Sequence, residues 1–275
     1  MAANDGQALD LKYDSAPRRR ARMVSMIADN GYCTITELAA AFDVSEMTIR
    51  RDVARIAVSD RSLRVVHGGI SSVPAWQSDG TDYRTRSVTS RGAKFAIATE
   101  AVRLLRSGQT IALDSGTTTL HIAEAIPDGL QLNVVTQSLA VANALAPKET
   151  LELTLLGGTY VRALEAFVGT ATTKAIADLS IDVLFLATTS IDERGVLAGN
   201  EYDAATKRAW VEVAETIVLV SDSTKFNRKS RFRVCPLARI TLMVTDEGIT
   251  EGSRRMMENA GLRIITAAAN GTAYA

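Results

Sequence analysis

The sequence predicts an α/β protein in two parts: a small, mainly helical head and a larger body on a mostly parallel sheet. Three observations carry this. Residues 18–69 contain three helix signals in succession and hold nine Lys/Arg against six Asp/Glu, in a chain with 31 of each overall. From about residue 88, continuously apolar runs of strand length alternate with helical stretches, the pattern of a parallel sheet covered on both faces. Between them, "SSVPAWQSDGTDYRTRS" (71–87) is polar, carries Pro74 and Gly80, and lacks periodicity, so it reads as a connector. The expected divisions are a flexible tail over 1–16, the head over 17–70, the connector over 71–87 and the body over 88–275.

Composition excludes several classes. The 275 residues are 47% hydrophobic and 23% charged, ordinary for a globular protein. No apolar run approaches the ~20 residues of a membrane span. The start, "MAANDGQALDLKYDSAP", has no apolar core of a secretory signal. Cys33 and Cys235 are the only cysteines, which excludes a disulfide framework and a four-cysteine zinc site. His67 and His121 are the only histidines and add no cluster with metal-ligand spacing. A cytoplasmic protein with no metal, no cofactor and no membrane partner is expected.

In the head, Ser15 and Pro17 suit a helix start, and Met23, Met26 and Ile27 give that helix an apolar side before Gly31 ends it. "TITE" (34–37) is a capping box: Thr34 accepts from the Glu37 amide while Glu37 reaches back. Leu38, Ala41 and Phe42 form the buried stripe of the second helix. "DV" makes the turn, and Ser45 caps a third helix.

On that third helix, at ~100° per residue, Ile49, Val53 and Ile56 share one side. Met47, Arg51 and Ala54 lie nearly opposite, flanked by Thr48 and Arg50. Two short helices joined by a tight turn, with polar and basic residues early on the second, are what docking in a DNA major groove requires. Arginine there can pair with guanine O6 and N7 or clamp phosphate. "RSLRVVHGG" (61–69) then reads as a strand ending in a turn, so that Arg64, His67 and Gly68 make the wing of a winged helix-turn-helix. A three-helix interaction module with a solvated basic face is the bland alternative. Capping box, short turn, exposed arginine pair and glycine-ended wing in this order favour DNA. The expected DNA-contacting residues are Ser45, Met47, Thr48, Arg50, Arg51, Arg64, His67 and Gly68.

The body opens with a helix over Ala93–Leu105. Its strand-like runs are "TIAL" (110–113), "LNVVT" (132–136), "LELTLL" (151–156), "DVLFLA" (182–187), "TIVLVSD" (216–222), "ITLMVTD" (240–246) and "LRIITA" (262–267). In parallel sheets ligands sit beyond the strand carboxyl ends. There the chain places "DSGTTT", in which Gly116 permits a tight turn. Ser115, Thr117, Thr118 and Thr119 bring hydroxyls to helix N-terminal amides, an anion cradle behind Asp114. It also places Thr136, Gln137 and Ser138; Gly157 and Gly158 followed by Arg162; and Lys225 in "SDSTKF". Such caps and glycine pairs are common singly. Together on one sheet edge they predict a cleft for a phosphorylated sugar or polyol. No Walker or GxGxxG pattern follows a strand, which argues against nucleotide binding.

"ITELAAAFDVSEMTIRRDV" with "LRVVHGGI" resembles the winged helix-turn-helix of DeoR-type bacterial transcriptional regulators. The blocks "LDSGTTT", "VVTQSLAVANAL", "LLGGTYVR", "FVGTAT", "YDAATKRAW" and "SDSTKFNR" resemble that family's sensor domain. The resemblance spans roughly 18–266. It implies a body related in fold to pentose-phosphate isomerases and CoA transferases. By the same resemblance "DSGTTT" is the phosphate-holding loop, the "TQS" and "GG" loops line the effector pocket, and Lys207 and Lys225 are its basic positions. This chain departs from the pattern at three places. "AVSDRS" before the wing is longer and lacks the usual glycine, Gln137 stands where Asn is commoner, and "ATTS" (187–190) replaces "GADG", putting Thr189 in place of an acid.

Two function classes follow. One is a DNA-binding transcriptional regulator, a repressor of carbohydrate-use genes controlled by a phosphorylated sugar or sugar alcohol. It would act as a homo-oligomer (dimer or tetramer), because one small head gives too little affinity alone. The other is a sugar-phosphate isomerase carrying an added helical domain. That chemistry needs a positioned base. His121 sits one turn into a helix, Asp114 is placed to organise its own loop, and Thr189 lacks a carboxylate, so no catalytic residue is expected and the regulator is the reading preferred.

Overall fold

The computed structural model describes residues 16–30, 32–60, 63–66, 69–72 and 83–268. The chain divides into two compact units, Met1–Ser78 and Asp79–Ala275.

The head comprises α1 (Ala16–Asn30), β1 (Tyr32–Thr34), α2 (Ile35–Phe42), α3 (Glu46–Ser59), β2 (Leu63–Val66) and β3 (Gly69–Ser72). The capping box forms at α2: Glu37 N–H donates to Thr34 Oγ1 at 3.0 Å and Thr34 N–H to Glu37 Oε2 at 2.8 Å. Asp43 ends α2 in the left-handed region, at φ 49°. There its amide and that of Val44 turn back to Ala40 and Ala39 carbonyls, which makes the two-residue turn possible. Ser45 then caps α3, accepting from Thr48 N–H at 3.3 Å. The core is Met23, Ile27, Leu38, Phe42, Ile49, Val53 and Ile56 from the helices, closed by Cys33, Leu63 and Ile70 from the strands.

Those strands form an antiparallel sheet of order β1-β3-β2. The sequence had signalled only β2. β1 and β3 have three and four residues, too few for alternation to show. β3 runs through Ser71 and Ser72, so the stretch read as connector begins inside the wing sheet. His67, Gly68 and residues 73–82 lie outside the described residues, as do 1–15.

The body opens with α4 (Tyr83–Val88), inside the other end of that stretch, then α5 (Arg91–Val102), β4 (Thr110–Leu113), α6 (Thr117–Ala125), β5 (Leu132–Thr136), α7 (Leu139–Leu145) and β6 (Leu151–Leu155). A hairpin, β7 (Thr159–Val161) and β8 (Ala166–Val168), precedes α8 (Thr170–Ala177) and β9 (Ile181–Leu186). Next come β10 (Ser190–Asp192), β11 (Gly195–Ala198), α9 (Glu201–Val213), β12 (Ala214–Val220) and β13 (Phe232–Cys235). β14 (Leu242–Asp246), α10 (Glu251–Asn259) and β15 (Arg263–Ala267) complete it.

All seven apolar runs read from the sequence join one sheet, order β15-β14-β12-β9-β4-β5-β6, and every neighbouring pair is parallel. Alternate residues feed two cores. Ile111, Leu113, Val134, Phe185, Val218 and Val244 pack under α5, α6 and α7. Ala112, Val135, Leu184, Leu186, Leu219 and Met243 pack against α8, α9 and α10. Burial on both sides is why inner strands such as β4 and β9 read as unbroken apolar runs, whereas the edge strands β6 and β15 are partly exposed and carry polar residues. Each buried aliphatic side chain contributes roughly 1.5–3 kcal/mol. The β7–β8 hairpin and the antiparallel sheet β10-β11-β13 were not expected. No helix among the described residues is long and apolar enough to cross a membrane.

Candidate functional site

On α3, Ile49, Val53 and Ile56 are buried while Met47 is 61% exposed, and Arg50, Arg51, Ala54 and Arg55 are exposed with it. Ser45 and Thr48 are tied together at the N-terminus, with hydroxyls 2.9 Å apart. Glu46 accepts from Thr36 at 2.8 Å and lies 3.7 Å from Arg50. Arg50 is thus loosely held along the helix, whereas Arg51 makes no ion pair among the described residues. Arg64 lies in β2; His67 and Gly68 are outside the description.

In the body, loops after β12, β9, β4, β5 and β6 lie side by side at the sheet's carboxyl edge, because those strands are consecutive neighbours. Asp114 follows β4 and is fully buried. Its Oδ1 accepts from Ser115 N–H at 2.7 Å and Gln137 Nε2 at 3.0 Å. Its Oδ2 accepts from Ala187 N–H at 3.1 Å and from the Lys207 ammonium. Gln137 in turn accepts from Trp210 Nε1 at 3.0 Å. One carboxylate therefore ties together the loops after β4, β5 and β9 and the helix α9.

Lys207 also lies 3.2 Å from Asp203 one turn earlier. Burial opposes its charge, but Asp114 and Asp203 outweigh that and hold it above the ordinary lysine value. Burial raises Asp203. Lys207 is thus neutralised inside the protein, where the sequence had placed it among cations facing a ligand. Gln137 likewise has both polar ends engaged. Thr119 turns inward to the Asp114 and Gly116 carbonyls at 2.5 and 2.9 Å, and Thr136 bonds the Leu113 carbonyl at 2.6 Å. These residues build the site's floor.

Ser115, Thr117 and Thr118 remain at the α6 N-terminus without side-chain bonds to other described residues. Gly116 is required by space: a Cβ there would stand 2.6 Å from Ala187 Cβ. Ser138 caps α7, and the β8 strand docks on this loop, with Phe167 N–H donating to Gln137 O at 2.9 Å. Gly157 and Gly158 follow β6. Gly158 has φ +150°, and a Cβ there would meet Thr172 Oγ1 at 2.2 Å. Arg162 is exposed on the β7–β8 turn.

At the other end, Lys225 is buried and 3.9 Å from Asp222, whose Oδ1 is engaged by the Thr224 amide and hydroxyl. Burial brings Lys225 down to about 8, partly offset by Asp222, with Arg228, Arg86 and Lys94 adding to the depression. Lys94 on α5 also falls to about 8, through burial first. It donates to the Arg86 and Thr89 carbonyls, the latter at 2.6 Å. Ser190 and Thr245 hydroxyls are buried with no protein partner. This end carries an excess of cations and unused polar atoms, so it can receive an anion. The sequence reading missed Lys94, Arg86, Asp203, Asp222 and Trp210. The spacing 203–207–210 puts three of α9's polar-capable residues on one face and was the available signal.

Residues 19–74 match the DeoR-like helix-turn-helix domain and 89–247 the DeoR C-terminal sensor domain. The HTH-type transcriptional regulator GlpR of Haloferax volcanii is 33% identical over 90% of this chain and 96% of its own length. The glycerol-3-phosphate regulon repressor of Escherichia coli K12 is 31% identical over 83% and 90%. The ribose 5-phosphate isomerase A structure from Methanocaldococcus jannaschii is similar over 48% of this chain and 53% of that one, with TM-score 0.37 and 17% identity. A likeness at that level says nothing of chemistry. Head and sensor occur in order along one chain, and the chain belongs to the DeoR family of DNA-binding transcriptional regulators.

Proposed function

We propose that α3 reads operator DNA in the major groove while the strand-end site in the body binds a phosphorylated sugar or polyol that changes operator affinity. The observation that carries this is the division of labour at the sheet edge. Asp114, Gln137 and Lys207 satisfy one another, whereas the α6 N-terminal amides, Thr117, Thr118 and Lys225 are left for an anion. In the head, Met47, Thr48, Arg50 and Arg51 are the base and phosphate contacts, with Ser45, Arg64, His67 and Gly68 beside the backbone. The relatives' names, among them a glycerol-3-phosphate regulon repressor, support repression of carbohydrate-use genes.

The protein is read as a non-enzyme of the cytoplasm. The one carboxylate on the sheet edge at β4, Asp114, is already committed to four donors and has no freedom to move a substrate proton. A homo-oligomer, dimer or tetramer, matches paired half-sites. The test is a thermal-shift screen of the full chain with phosphorylated sugars and polyols, followed by operator binding with each hit. A hit that stabilises the body and alters operator affinity supports the reading. Turnover of a hit without any effect on DNA would favour the isomerase.

A further inference from the structure

Asp52 lies on the buried side of α3, only 3% exposed, between arginines at 50 and 51 and the core residue Val53. α1 supplies its partners. Arg19 places Nε at 2.8 Å and Nη2 at 2.7 Å from Asp52 Oδ2, and Arg20 places Nη1 at 3.4 Å from Oδ1. A carboxylate at the edge of an apolar stripe is costly to bury, and an apolar residue would pack α3 on α1 at least as well. Apolar contacts are non-directional, however, and leave a helix free to rotate or slide by fractions of an ångström. Three charge-assisted donors on two oxygens do not: they fix the rotation of α3 about its axis and its position along α1. The residue that receives them is adjacent to Arg51, so any rotation of α3 moves that guanidinium directly.

We propose that Asp52 is a positioning residue for sequence discrimination: clamped by Arg19 and Arg20, it holds α3 in the one orientation that aims Met47, Thr48 and Arg51 at base edges. This rests on the reading of α3 as the DNA-reading helix. Affinity for DNA in general comes from cations that tolerate small rotations, whereas a base-edge contact depends on direction. The clamp therefore governs the ratio of specific to non-specific binding. Its loss leaves the cations of α3 in place.

The test uses the full-length protein and two duplexes of equal length, one selected by the wild type from a random pool and one with the same bases scrambled. Asp52→Asn keeps the shape and removes the charge. Arg19→Lys keeps the charge, removes the two-donor contact, and decides the matter where Asp52→Asn does not fold by circular dichroism. The expected result for each folded variant is a fall of roughly tenfold or more in affinity for the selected duplex, with no fall for the scrambled one and no loss of its salt dependence. A selected-to-scrambled ratio equal to wild type, whether both affinities hold or both drop together, overturns the proposal. A wild type that shows no preference would instead overturn the base-reading assignment beneath it.

Discussion

Lys207 on α9 and Asp114 at the end of β4, 93 residues apart in sequence, form an ion pair with side-chain exposures of 2% and 0%. Desolvating both charges offsets most of their attraction, so the pair adds little net stability, but removing one partner strands the other. Lys207→Met should therefore destabilise the body by about 3–5 kcal/mol. The check is urea unfolding followed by tryptophan fluorescence, to which Trp210, whose indole is hydrogen-bonded to Gln137, contributes. A loss below about 1 kcal/mol would show the charges to be less buried than described.

The β4–α6 turn is set by space as much as by charge. Gly116→Ala would push a methyl into Ala187 Cβ, 2.6 Å away, and both neighbours are backbone-anchored. The loop should move, costing about 1–3 kcal/mol and weakening effector binding more than DNA binding. Calorimetric titration of effector into wild type and variant checks this.

Effector affinity should fall as pH rises through about 8, where buried Lys225 loses its proton. A phosphomonoester remains a dianion across that range, since its second pKa is about 6. Binding an anion favours charged Lys225, so binding above pH 8 should be accompanied by proton uptake, visible as buffer-dependent binding heat. Stability of the ligand-free protein moves the other way. The folded value lies below the unfolded 10.5 for both Lys225 and Lys94. Between about 8 and 10.5 the unfolded chain then holds more protons, and these two groups make stability rise with pH. Titration curves with the same slope for both quantities would contradict the assignment.

On α3, Arg51 and Arg50 should behave differently. Arg51→Ala should cost about 1–3 kcal/mol on the operator and relax preference at one base position. In the proposed binding mode Arg50, held loosely by Glu46, contacts phosphate. Arg50→Ala should weaken all duplexes alike and reduce the salt slope by about 1. Salt-dependent titrations on operator and scrambled DNA separate the two.

Much of this was legible in the sequence for a definite reason. The inner strands of the sheet are buried on both sides, so Ile111 to Leu113 or Phe185 to Leu186 had to be apolar without interruption, and local pattern sufficed. The capping box at Thr34 and Glu37 is equally local. Hairpin β7–β8 and sheet β10-β11-β13 were not legible, because strands of three and four residues are too short for alternation to show, and β13 takes its pairing from a distant partner, Cys235 on Val196. The site divides the same way. Loops at strand ends announce themselves through Gly, Ser and Thr. Which of their side chains face outward does not: Lys207 and Gln137 are consumed by Asp114 and Trp210, and Asp52 by two arginines of α1, each a contact between residues far apart in the chain.

In the proposed mechanism a ligand at the β4–α6 loop controls operator binding by the head. Its direct test is operator titration at zero and saturating phosphorylated effector, for wild type and for Thr118→Phe, which fills the mouth of that loop. Coupling of about 1–3 kcal/mol predicts a ~5–150-fold change in wild-type operator affinity. Thr118→Phe should bind operator normally and show no change with effector. Equal wild-type affinities with and without a ligand shown to bind the body, or a full response in Thr118→Phe, would contradict it.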